Sequence, residues 1–152
     1  MTMKPHIWKI EWNDGMSVGI PEIDEDHKRF AYLINNFNLS IVDRMDLGEI
    51  KNRLQLILID AVQHFAHEER QFKQWKYPDA EDHANKHAQA ISALQAIQEK
   101  LITSGLESVW INAGLEVKDL LVTHLLTEDM KYADYYRNIG KLTSLIARQL
   151  RR

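Results

Sequence analysis

Apolar residues recur every three or four positions through four successive stretches of this chain, and a short polar break closes each stretch. That spacing marks one face of an α-helix. The first stretch starts near Ile23 and runs through Phe30, Leu33, Ile34, Phe37 and Ile41 to about Met45, ahead of Asp46-Leu47-Gly48. The second passes through Ile50, Leu54, Ile57, Ala61, Phe65, Phe72 and Trp75 until Tyr77-Pro78 interrupts it. Asp79 is the expected N-cap of the third, which carries Ala90, Ile91, Leu94, Ile97 and Leu101 and closes at Thr103-Ser104-Gly105. The fourth holds Trp110, Ile111, Leu115, Val117, Leu121, Leu125, Tyr132 and Tyr135 and is expected to end before Asn138-Ile139-Gly140. Connections this short force consecutive helices to lie as antiparallel neighbours. The predicted fold is all-α, an up-down-up-down four-helix bundle over residues 22–137. Residues 1–21 read as an irregular arm packed on it through Trp8, Trp12, Val18 and Ile20. Residues 138–152 read as a short amphipathic helix with Leu142, Leu145, Ile146 and Leu150, which caps the bundle or meets a partner.

The 152 residues contain no cysteine, which excludes disulfides, thiolate metal sites, iron–sulfur clusters and cysteine nucleophiles. Any metal must bind through nitrogen and oxygen. A formal net charge of -3 leaves no broad basic field, so nucleic acid is not an expected partner. With 27% charged residues and no long apolar run, no membrane span is expected, and Met1 to Trp12 lacks the uninterrupted apolar core of a signal peptide. The expected location is the cytoplasm.

Polar residues interrupt the apolar lines of all four helices. His27 lies three residues before Phe30 and seven before Ile34, on the buried stripe of the first helix. The second core line reads Ile50, Leu54, Ile57, Ala61, His64, Glu68. His83 and His87 extend the line of Ala90 and Leu94 backwards, and His124 follows Val117 and Leu121. Asp129 is the awkward member: five residues along an ideal helix turn it roughly 140° from His124, so it needs an edge position or a local helix irregularity. Burying such groups costs several kcal/mol, on the order of a whole domain's stability, unless they are paired or bound to metal. The pairs His83/His87 and His64/Glu68 are spaced i, i+4 and suit chelation of a single ion. His67 falls off the core line and reads as a surface histidine, and His6 lies outside the set.

Five histidines and two carboxylates are too many for one tetrahedral zinc; they fit two octahedral-leaning ions with shared bridges, for which iron is the natural choice. The Glu-x-x-His repeat of carboxylate-rich di-iron oxidases is absent, because Ala61, Ala80, Ala84 and Leu121 stand three residues before the histidines. His67-Glu68-Glu69-Arg70-Gln71 lacks the second histidine of a zinc-protease motif.

The chain resembles the hemerythrin family, and its bacterial single-domain members in particular, over residues 12 to about 136. The resemblance rests on Trp12, Ser17-Val18-Gly19-Ile20, Ile23-Asp24-x-x-His27, His64-Phe65-x-x-Glu68-Glu69, Tyr77-Pro78, His83-x-x-x-His87 and His124-x-x-x-x-Asp129-x-x-Tyr132. It implies that His83, His87 and His124 hold one iron and His27 and His64 the other, which keeps an open position. Glu68 and Asp129 would bridge the pair, with an oxo or hydroxo group as third bridge. The implied function is reversible dioxygen binding for carriage, storage or delivery, with azide or nitric oxide as alternative ligands and no catalytic acid or base. Phe30, Leu121 and Leu125 are expected to line a dry pocket for the gas. Two departures are Leu120 and Ala90, where bacterial members often carry bulky aromatics, and these smaller side chains are expected to leave a cavity or tunnel. Three other functions remain open: an oxygen, redox or nitric oxide sensor acting through residues 141–152, an enzyme acting on peroxide or nitric oxide, and a zinc or iron store.

Overall fold

A computed structural model describes residues 8–105 and 107–151. Helix α1 spans Pro21–Val42, α2 Leu47–Trp75, α3 Ala80–Thr103, α4 Glu107–His124 and α5 Met130–Leu150, with a π-helical turn at Leu125–Asp129 joining the last two into one rod. Four rods result. Rod one packs on two, two on three, three on four and four on one, the closed ring of an up-down-up-down bundle.

Local chemistry sets the boundaries. Pro21 opens α1, where its missing N–H costs nothing. The helix ends at Val42 rather than near Met45 because Arg44 turns into the left-handed region (φ 53°). The Asp46 side chain caps α2 by accepting from Glu49 N at 3.0 Å. Lys76, also left-handed at φ 53°, closes α2, with Tyr77 N donating to Phe72 O across the last turn. Asp79 occupies the N-cap position of α3, but its side chain makes no cap hydrogen bond.

The rod made by α4 and α5 departs most from expectation. No break occurs at Asn138-Ile139-Gly140, and the C-terminal segment is helical as a continuation of the fourth rod. One glycine costs a helix only about 1 kcal/mol, and Lys141, Leu142, Leu145, Ala147, Arg148 and Gln149 downstream favour helix. Residues 140–150 are exposed, so this stretch overhangs the bundle.

The N-terminal arm lies along the bundle. Ile10, Met16, Val18 and Ile20 are buried, with Trp8 and Trp12 half-buried against the core. Asn35 clasps the arm by accepting from Ile10 N (2.8 Å) and donating to Ile10 O (2.9 Å). Asp24 accepts from Val18 N (2.8 Å) and Ser17 Oγ (2.5 Å), and Gly19 makes the turn between them at φ 77°. His6, expected outside the site, belongs to residues 1–7, which lie outside the described residues.

One end of the bundle is an apolar core built from Phe37, Ile41, Ile50, Leu54, Ile57, Leu94, Leu101 and Val117. Polar residues gather at the other end. The start of α1, the end of α2, the start of α3 and the π turn meet there, so four chain-distant segments face one point.

Candidate metal centre

The four rods bring all seven sequence-predicted residues together. His27, His64, Glu68, His83, His87 and Asp129 are each no more than 5% exposed, and the His124 side chain is 9% exposed. They form two overlapping groups: His83, His87, His124 and Asp129, and His27, His64, Glu68 and Asp129. Within each group the candidate ligand atoms lie within 4.8 Å of one another.

Asp129 sits between the groups. Its Oδ1 is 3.1 Å from both His83 Nε2 and His124 Nε2, while its Oδ2 is 3.2 Å from His27 Nε2. Glu68 makes the second link, with Oε1 2.6 Å from His64 Nε2 and 3.7 Å from His87 Nε2. His27 Nε2 and His64 Nε2 face each other at 3.1 Å. The π turn is what admits Asp129: widening the helix by one residue per turn brings an i, i+5 pair onto one face.

Rings hold the imidazoles in place. Phe65 stacks on His87 with centroids 3.9 Å apart and planes 7° apart, and Phe72 meets His83 edge-on at 4.8 Å. Phe30 meets His64 edge-on at 5.1 Å. Tyr132 is fully buried against His83, and burial followed by the nearby Glu68 charge pushes its phenol pKa well up.

Electrostatics divide the histidines. Burial and then the neighbouring His83 and His124 push the His87 imidazole down to about 2, so it presents a neutral nitrogen. Burial opposes charge on His64 too, yet the Glu68 charge and the hydrogen bonds to Asp26 and Glu68 hold it up at about 10. Burial would raise Asp129, but the imidazoles of His124, His27 and His83, each within 3.2 Å of a carboxylate oxygen, overcome it and hold the carboxyl well below its usual range. The metal-free site therefore sets an ionised Asp129 and a protonated His64 beside a neutral His87.

Cations fit this cluster. His83 Nε2, His87 Nε2, His124 Nε2, Asp129 Oδ1 and both Glu68 oxygens are buried without a hydrogen-bond partner. So many inward-facing lone pairs in a dry interior are costly unless positive charge lies among them. An all N/O donor set of imidazoles and carboxylates suits first-row transition metals.

Phe30, Leu121 and Leu125 line a cavity of about 30 Å³ beside His27, His64 and His124. Neither Leu120 nor Ala90 lines it: Leu120 is half-buried and Ala90 is 3% exposed in the core. Leu120 does not face this cavity, because the one-residue step from Leu120 to Leu121 turns the side chain about 100°.

Sequence reasoning missed two carboxylates and underrated one histidine. Asp26 Oδ2 lies 2.9 Å from His64 Nδ1 and 3.0 Å from His67 Nδ1, and Glu69 Oε2 lies 3.1 Å from His87 Nδ1. The His67 side chain is 27% exposed, so it sits at the rim of the site rather than free on the surface. Glu69 was visible as the neighbour of Glu68. Asp26 carries no such signal, since it stands one residue off the core line of α1.

A helical bundle with two overlapping histidine–carboxylate groups at one end defines a metal-binding bundle protein. Residues 18–136 match the family model described as hemerythrin HHE cation binding domain, and the chain belongs to the hemerythrin family. It is 29% identical over 123 residues to a hemerythrin-like protein of Naegleria gruberi, covering 81% of this chain and 90% of that one. A hemerythrin-like protein of Naegleria fowleri is similar to the same extent. It is 24% identical over 127 residues to a bacteriohemerythrin of Stenotrophomonas maltophilia (strain R551-3), covering 82% and 80% of the two chains. Membership implies metal binding and an oxygen-related function. Among the described residues, no helix is long and apolar enough to cross a membrane.

Proposed function

We propose that the chain holds two iron ions and binds dioxygen reversibly, as a carrier, store or delivery protein. His83, His87 and His124 would hold one ion and His27 and His64 the other, with Glu68 and Asp129 shared between them. The observation that carries this reading is the division of Asp129, with one oxygen toward His27 and the other toward His83 and His124. The iron pair, when bound, supplies the electrons and the vacant coordination position that dioxygen needs.

The protein's own residues supply confinement. The cavity is lined by both histidines of the two-histidine half, together with His124 of the other, and that half, with one imidazole fewer, would retain room for a small ligand. Phe30, Leu121 and Leu125 keep its walls apolar, which excludes water and external protons. Among the described residues, the titratable side chains lining it, His27, His64, His124 and Asp129, are the proposed ligands themselves. With no spare acid or base at the cavity, we infer binding rather than turnover, and a cytoplasmic location remains part of this reading.

A sensor is the second reading. It is favoured by the overhang of α5, where Leu142, Leu145, Ile146 and Leu150 are all more than half exposed. Metal analysis and absorption spectra test the proposal. It expects two irons per chain and a charge-transfer band that appears in oxygen and disappears under argon. One metal per chain would overturn the two-ion reading. Irreversible oxidation with no such band would overturn reversible binding in favour of the sensor or an enzyme.

A further inference from the structure

The two halves of the site are oriented from outside by different carboxylates. On the three-histidine half, Glu69 faces His87 Nδ1 at 3.1 Å. On the two-histidine half, Asp26 Oδ2 accepts from His64 Nδ1 at 2.9 Å. An Nδ1–H committed to Asp26 makes Nε2, turned inward to 2.6 Å from Glu68 Oε1 and 3.1 Å from His27 Nε2, the nitrogen that a metal ion would take in exchange for its proton. His27 has no comparable support, because its Nδ1 is buried without a hydrogen-bond partner. The orientation of this half therefore depends on Asp26.

Asp26 is itself held firmly. Its Oδ1 faces Arg29 Nη2 at 3.3 Å, and Arg29 Nε donates to Asp60 Oδ1 on α2 at 2.7 Å. The network joins α1 to α2 beside His64. His67 Nδ1 donates to the same Asp26 oxygen as His64, from the outer side, at 3.0 Å. Asp26 falls on an unspecified position of Ile23-Asp24-x-x-His27, so it is no part of the pattern that carries the family resemblance.

We propose that Asp26 is the positioning residue of the two-histidine metal position, so that its loss weakens that ion selectively and spares the three-histidine one. A carboxylate that accepts from the far nitrogen of a ligating imidazole fixes the ring and raises the basicity of the coordinating nitrogen. Asp26 does this for His64 alone. The inference rests on the two-ion reading above.

The test titrates metal-free protein with Co²⁺ under argon and follows both absorbance and heat. Wild type should take up two equivalents. Asp26→Leu should keep one tight equivalent and lose about 10- to 100-fold in affinity for the other, the range typical of an outer partner of a metal ligand. Asp26→Asn, whose amide oxygen still accepts from Nδ1–H, should fall between them, and His67→Ala should match wild type. In the zinc-loaded proteins, the downfield Nδ1–H proton of His64 should persist in wild type and vanish in Asp26→Leu. Two equivalents at wild-type affinity in a folded Asp26→Leu protein would overturn the proposal. So would equal weakening of both equivalents, or a His67→Ala protein that behaves like Asp26→Leu. A wild type that takes up fewer than two equivalents would overturn the two-ion reading itself, and this inference with it.

Discussion

His124 and Asp129 are five residues apart in the chain, yet His124 Nε2 lies 3.1 Å from Asp129 Oδ1. In a continuous α-helix the two side chains would diverge, and the π turn at Leu125–Asp129 removes that divergence. Deleting Thr127, an exposed residue of the turn whose hydroxyl only returns to Thr123 O, would leave the two at α-helical i, i+4 spacing. The expected outcome is a folded protein that still binds two metals. Inserting an alanine at the same point would place them i, i+6 apart and is expected to lose metal. Metal content of the two purified variants checks both.

His83→Ala removes a ligand and one of three imidazoles around Asp129. The variant should hold at most one metal per chain. Its metal-free form should lose about 1–3 kcal/mol of stability, because the buried Asp129 carboxylate loses one of the imidazoles that face it. Denaturant unfolding of the metal-free proteins measures the difference.

How much of this was legible in advance depended on which regularity each residue obeys. His27, His64, Glu68, His83, His87 and His124 follow helical periodicity, so the lines that revealed the core also revealed them. Asp129 breaks the period and stood in the set as its awkward member, in need of an edge position or a local helix irregularity; the π turn is that irregularity. Asp26 could not be found from periodicity, because its role depends on how α1 is rotated against α2. Gly140 misled through a local rule: a weak helix breaker was overruled by the strong helix formers that follow it.

The small-ligand pathway should respond to residue 121 and not to residue 120. Leu121→Phe fills space beside His27, His64 and His124, so azide should bind the oxidised protein more slowly at unchanged metal content. Overpacking is expected to cost about 1–3 kcal/mol of stability. Leu120→Trp, at a position outside the cavity lining, should leave the azide rate unchanged. Stopped-flow mixing distinguishes the two.

Metal-free protein should be most stable near pH 6.5. His87 falls from 6.5 to about 2 on folding, so the unfolded chain binds more protons between those values and stability drops as pH falls below 6.5. The depressed Asp26 and Asp129 add to the loss below 3.8. His64 moves oppositely, from 6.5 to about 10, so its contribution is complete below 6.5 and fades as pH rises toward 10. Metal uptake must displace the His64 proton, so binding near pH 7 should release protons into a weakly buffered solution. Melting curves across pH and a pH-indicator titration check the two statements.

Removing residues 141–152 should leave metal content and the bundle's unfolding transition in place. All of 141–150 are exposed, and no candidate ligand lies among them. Loss of metal on truncation would make the overhang part of the folded core.

The overhang also separates charge. Residues 137–152 carry Arg137, Lys141, Arg148, Arg151 and Arg152 with no acidic side chain, in a chain whose net charge is -3, so residues 1–136 carry -8. Helix α5 leaves the bundle at the metal-site end, which makes the molecule an electric dipole with its positive pole projecting beyond the site. Small anions drifting in solution are drawn toward that end before they touch anything. Azide should therefore associate faster in dilute salt than in concentrated salt, with the difference fading once the screening length falls below about 10 Å. Oxygen, being uncharged, should arrive at the same rate in both.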